Sequence, residues 1–121
     1  IDTGDIIAQK RFDIGPEATV RTLLDKVLVL APQIVTENIG SVLDGTAPRR
    51  EQDESLASYT TRRKPEDSRI DWAQSDENLY NFIRALAPPY PSAFTYCGER
   101  RLVIPEARIV DGKLWIRAYV E

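Results

Sequence analysis

The chain has 121 residues, 42% hydrophobic and 29% charged, with a net charge of −3, which is the composition of one soluble domain with an ordinary apolar core. No apolar run approaches the roughly 18 to 20 residues that a membrane-spanning helix needs, and an acidic balance argues against a wholesale nucleic-acid coat. The sequence holds no His and no Met, so an imidazole general base, a Ser-His-Asp triad and the common His-containing zinc site are excluded, and no metal site is expected.

Ile6 to Ile14, β-branched at both ends and following Gly4, reads as a strand, closed by Gly15-Pro16. Thr19 then caps an amphipathic helix that runs to about Leu43. Its apolar stripe is Val20, Leu23, Leu24, Val27, Leu28, Ala31, Ile34, Val35, Ile39, Val42 and Leu43. Exposure of Val20, Leu24, Val27, Ile34 and Ile39 would contradict that stripe. Pro32 removes one backbone hydrogen bond and should kink the helix near Leu28; Asp44-Gly45 stops it. Residues 46–69 read as a polar surface loop with one short strand at Ala57 to Thr60. Ser75 caps a second helix with the stripe Leu79, Phe82, Ile83 and Leu86, and Pro88, Pro89 and Pro91 forbid its continuation. Three strands follow at Ala93 to Cys97, Leu102 to Ile104 and Leu114 to Val120, with turns at Cys97-Gly98-Glu99 and Asp111-Gly112.

Several clusters could carry chemistry. Asp2 and Asp5 flank Thr3-Gly4; two carboxylates at that spacing suit acid–base work or a cation, although Asp and Gly are also good turn formers. Arg49-Arg50 and Arg62-Arg63-Lys64 could grip a phosphate, but Glu51, Asp53, Glu54, Glu66 and Asp67 beside them favour a solvated mixed-charge loop. Pro88-Pro89-Tyr90-Pro91 reads as a rigid corner, with Tyr90 and Phe94 as packing residues or pocket walls. Cys97 is the single cysteine, which fits a reducing cytoplasm, and nothing in the sequence makes it reactive.

The order of these segments is informative. Ile1-Asp2-Thr3-Gly4-Asp5-Ile6-Ile7-Ala8-Gln9, a long helix ending Leu43-Asp44-Gly45, Arg69-Ile70-Asp71-Trp72, and Ile83-Arg84-Ala85-Leu86 leading into Pro88-Pro89-Tyr90-Pro91-Ser92-Ala93-Phe94 come in succession. This resembles the 10-formyltetrahydrofolate-dependent formyltransferases from Ile1 to about Val110, closest to enzymes that N-formylate nucleotide-linked amino sugars, with methionyl-tRNA formyltransferase related.

The resemblance implies an α/β fold: part of a Rossmann-like formyltransferase domain over residues 1–92, then the start of a small β-rich subdomain over 93–121. It implies a cytoplasmic transferase with 10-formyltetrahydrofolate as formyl donor. The expected acceptor is the amine of a nucleotide-linked amino sugar. Methionyl-tRNA and a non-catalytic binding module are the alternatives; nucleic acid and membrane are not expected partners. In the family an Asn donates to the oxyanion formed when the amine attacks, a His manages the amine proton, and an Asp pairs with the His. That Asp falls here on Asp2, while Asp5 stabilises the turn and Tyr90 walls the acceptor pocket. The family's Asn and His lie upstream of the turn, and this sequence holds no His. The chain therefore resembles the C-terminal portion of such an enzyme, inactive alone, and its open sheet edge leads to the expectation of a homodimer or of exposed apolar surface where the missing half belongs.

Overall fold

A computed structural model describes residues 2–121; Ile1 lies outside the described residues. Two compact units divide the chain, one formed by residues up to Ile14 together with Asp25–Thr61, the other by Gly15–Leu24 and Arg62–Glu121.

The first unit is built on helix α1, Val20–Leu43, whose opening turn counts with the second unit. Thr19 caps it reciprocally: its Oγ1 accepts from the Thr22 N–H at 3.4 Å, and its own N–H donates to Thr22 Oγ1 at 3.0 Å. The helix runs unbroken through Pro32. It ends in a Schellman arrangement, in which the Thr46 N–H reaches Ser41 O at 2.9 Å and the Gly45 N–H reaches Val42 O at 3.2 Å. Gly45 sits at φ +72, the left-handed conformation that a glycine adopts without steric cost.

Two expectations for this unit fail. Residues 6–14 are extended but are not a strand of a sheet, because among the described residues only Ile6 finds a backbone partner, Arg50. The segment is tied to α1 by charge instead: Lys10 Nζ meets Glu37 at 2.7 Å, and Lys26 Nζ donates to Asp13 O at 2.9 Å while lying over the Phe12 ring. The single buried stripe on α1 fails too. Val20, Leu24 and Ile34 are half-buried, Val27 and Ile39 are exposed, and no residue of α1 is fully buried. Apolar residues occupy more than one face of the helix, and Leu28 and Leu43 stand 72% and 79% exposed. Ala57 to Thr60 forms no strand either; it follows a short 3₁₀ turn, Glu54–Leu56, and is exposed.

The second unit packs helix α2, Asp76–Ala85, on an antiparallel sheet of β1, Ala93–Cys97, β2, Arg100–Val110, and β3, Lys113–Val120, in that spatial order. Ser75 caps α2 by accepting from the Asn78 N–H at 3.3 Å, and Asp76 and Glu77 complement the positive helix start. The α2 stripe is as expected: Leu79, Ile83 and Leu86 are buried with Ile70, Ala93 and Ile104, and Phe82 packs beside them. Ile83 and Ile104 are fully buried, each contributing about 1.5–3 kcal/mol.

The turns explain the sheet. Gly98 at φ +61 opens a two-residue loop between the paired Cys97 and Arg100, and Asp111 at φ +50 with Gly112 at φ +73 links Val110 to Lys113. β2 is longer than the Leu102 to Ile104 expected. A bulge between Val103 and Glu106 absorbs Pro105, which has no N–H for the ladder, and pairing then resumes to Val110. The only sheet among the described residues is antiparallel, so the architecture is mixed helix and sheet and the Rossmann-like part is not seen.

Arg69-Ile70-Asp71-Trp72 locks this unit residue by residue. Arg69 stacks over Tyr96 at 5.5 Å, Ile70 enters the core while its N–H donates to Phe94 O at 2.8 Å, and Trp72 Nε1 donates to Thr95 Oγ1 at 2.8 Å. Asp71 accepts from the Gln74 side chain at 3.0 Å and the Ala73 N–H at 3.1 Å, and these bonds hold its carboxyl below the ordinary carboxylate value.

Ile83→Ala should lower the stability of the second unit by about 2–5 kcal/mol in urea unfolding. Trp115→Ala, at a side chain 62% exposed, should cost far less, and equal losses would contradict the packing described. Because the folded Asp71 carboxyl is depressed, its contribution is full above the ordinary carboxylate pKa and is lost as the pH falls through the folded value. Asp71→Asn should therefore flatten part of the acid limb of stability below about pH 4, as read by thermal melts across pH.

Candidate active site

The turn at Asp2–Asp5 and the segment Arg50–Tyr59 form an open cleft of about 600 Å³ in the first unit, lined by Asp2, Thr3, Ile6, Arg50, Gln52 and Tyr59 among others. Its frame is an antiparallel bridge. The Ile6 N–H donates to Arg50 O at 2.8 Å, and the Arg50 N–H donates to Ile6 O at 3.0 Å. Extended backbone alternates its side chains, so Gln52, two residues on, falls in line with Arg50. Gln52 Nε2 donates to Asp2 O at 2.9 Å and to Gly4 O at 2.7 Å. Arg50 Nη2 donates to Gln9 Oε1 at 2.7 Å.

Asp2 takes the left-handed conformation, φ +70, and is exposed. Among the described residues its carboxylate has no hydrogen-bond partner, so it is open to whatever enters the cleft. Asp53 is a structural carboxylate. It caps the Glu54–Leu56 turn, accepting from the Ser55 hydroxyl at 2.6 Å and the Ser55 N–H at 3.0 Å, and both bonds hold its carboxyl below the ordinary value. With Asp2, Glu51, Asp53 and Glu54 around a single guanidinium, the cleft is predominantly acidic. It offers a carboxylate that can orient a cation or a protonated base.

Asp5 does not line this cleft; it borders a neighbouring apolar hollow with Ile34, Val35 and Ile39. Tyr90 belongs to the second unit, on the proline corner. Its N–H donates to Ala87 O at 3.2 Å and the residue is 49% exposed. One arginine of each basic cluster is engaged in the fold. Arg50 binds Gln9, and Arg63 donates to Asp67 O at 2.7 Å and lies over the Phe82 ring. Gln52 is the residue that sequence reasoning missed. Its spacing of two from Arg50 was the available signal, and that spacing has meaning only once Arg50 is known to pair with Ile6.

Residues 62–114 match the formyl transferase C-terminal domain family, a stretch that lies within the second unit. The whole chain is similar to a solved methionyl-tRNA formyltransferase from Clostridium thermocellum, at 29% identity and a TM-score of 0.73. It spans about half of that protein, 51% of its length. Both likenesses point the same way: the chain is similar to formyltransferases, and the matched family model is that of their C-terminal domain.

Proposed function

We propose that this chain is part of an N-formyltransferase that moves a formyl group from 10-formyltetrahydrofolate to the amino group of methionyl-tRNA. The observation that carries this reading is the likeness along the whole chain to a methionyl-tRNA formyltransferase. It displaces the expectation of a nucleotide-linked amino sugar, which rested on the run from Ala87 to Phe94 and on net charge. In the structure Ala87, Ser92, Ala93 and Phe94 of that run are buried, which gives them a packing role independent of any sugar.

In this reaction the acceptor nitrogen bonds to the formyl carbon, the bond from that carbon to the donor nitrogen breaks, and the proton lost by the amine is matched by one delivered to the departing nitrogen. Asp2 is the carboxylate that orients an imidazole and stabilises its protonated form. The imidazole comes from outside this sequence, which has no His. The cleft beside Asp2 is open, so it gives the donor's ring system no enclosed slot. The Rossmann-like surroundings of the turn belong to this proposal and not to the described architecture.

The full-length protein should formylate methionyl-tRNA, with acceptor binding that weakens as salt rises. Transfer to a nucleotide-linked amino sugar alone would overturn the acceptor assignment. The 121-residue chain by itself should show no transfer. Asp2→Asn in the full-length protein should lower kcat by about 10³- to 10⁴-fold, as for the orienting carboxylate of a triad, and Asp5→Asn should cost far less. Equal losses would remove Asp2 from its role. Tyr90→Ala should raise the acceptor KM without lowering the melting temperature; the reverse pattern would make Tyr90 purely structural.

A further inference from the structure

We propose that Gln52 is a positioning residue that fixes the direction of the Asp2 carboxylate through the backbone of the turn. The proposal rests on the reading of Asp2 as the orienting carboxylate.

Asp2 at φ +70 is in the left-handed region, which costs an aspartate less than most residues but more than a glycine, so contacts that hold the turn favour it. The two hydrogens of the Gln52 amide nitrogen go to two carbonyls of the same turn, Asp2 O at 2.9 Å and Gly4 O at 2.7 Å. Tying the Asp2 carbonyl sets the peptide plane that leaves Asp2. Tying the Gly4 carbonyl sets the exit from the glycine, the most permissive residue of the turn. Between them the two bonds restrain the backbone from which the Asp2 side chain projects. Gln52 is itself half-buried between exposed neighbours, and the paired backbone of Ile6 and Arg50 anchors it two residues away.

The chemistry selects the residue type. A primary amide presents two donors on one neutral nitrogen, at a reach that spans both carbonyls. A glutamate of the same size would put a carboxylate against two carbonyl oxygens, with no hydrogen to share while ionised. An asparagine is one carbon shorter. The role is one of donation and geometry, and it does not depend on filling space.

The test uses the full-length protein. Gln52→Ala and Gln52→Glu should each lower kcat about 10- to 100-fold, the scale expected when a catalytic group is misplaced by about an ångström. The KM values for donor and acceptor should hold within about twofold. In an Asp2→Asn background, Gln52→Ala should lower kcat no further, because Gln52 acts only through that carboxylate. An equal loss in both backgrounds would overturn the proposal, and so would a Gln52→Glu variant with undiminished kcat. An Asp2→Asn variant of full kcat would instead sink the reading of Asp2. In that case amide hydrogen exchange across Thr3–Ile6 decides the clamp by itself. Faster exchange in Gln52→Ala supports it, and unchanged exchange rejects it.

Discussion

Two backbone hydrogen bonds between Ile6 and Arg50 are what the first unit depends on. They join the start of the chain to the loop beyond α1. They set the line along which Arg50 and Gln52 point, and they close the cleft in which Asp2 stands. No core of the usual kind supports this arrangement, because no described residue of this unit is fully buried. Its order comes from directed polar contacts: an amide on two carbonyls, a guanidinium on Gln9, and a lysine shared between Glu37 and Gln33. Such contacts fix geometry well and contribute little net stability apiece.

The second unit is organised the other way round. Its apolar centre, Ile70, Leu79, Ile83 and Ile104, decides where everything else goes, and the polar contacts trim the edges. Asp76 shows the trimming: it begins α2 and also accepts the Leu114 N–H at 2.9 Å, so the helix start and β3 share one carboxylate. Arg84 plays the matching part at the other end of α2, donating to Ala18 O and stacking over Tyr80.

This contrast accounts for what the sequence disclosed. The second unit was legible because its signals are local. Ser75 caps its own helix, Gly98 and Asp111-Gly112 set their own turns, and the 3.6-residue period of α2 marks the face that is buried. The length of β2 was hidden by Pro105, which reads as a strand end and is in fact passed by a bulge. In the first unit the same reasoning failed where pairing is distant. Residues 6–14 have strand composition but lack a neighbouring strand among the described residues, and α1 has helical periodicity on a helix whose apolar residues crowd several faces. Asp2 came to notice through the family's turn. Gln52 is marked only by its spacing of two from Arg50, and a side chain bonding to a remote backbone is invisible until the chain is closed.

The sheet of the second unit has two unlike borders. On one side Arg69 bridges Phe94 in parallel fashion and the Ile70 N–H takes the Phe94 carbonyl, so the outer edge of β1 is already capped. On the other side β3 has no further neighbour among the described residues, and Trp115, Tyr119 and Val120 stand exposed along it. The sheet can thus be extended in one direction only. Lys113 and Arg117 lie on β3, and charged side chains on an edge strand discourage a stray strand from pairing there, an effect that weakens as ionic strength rises.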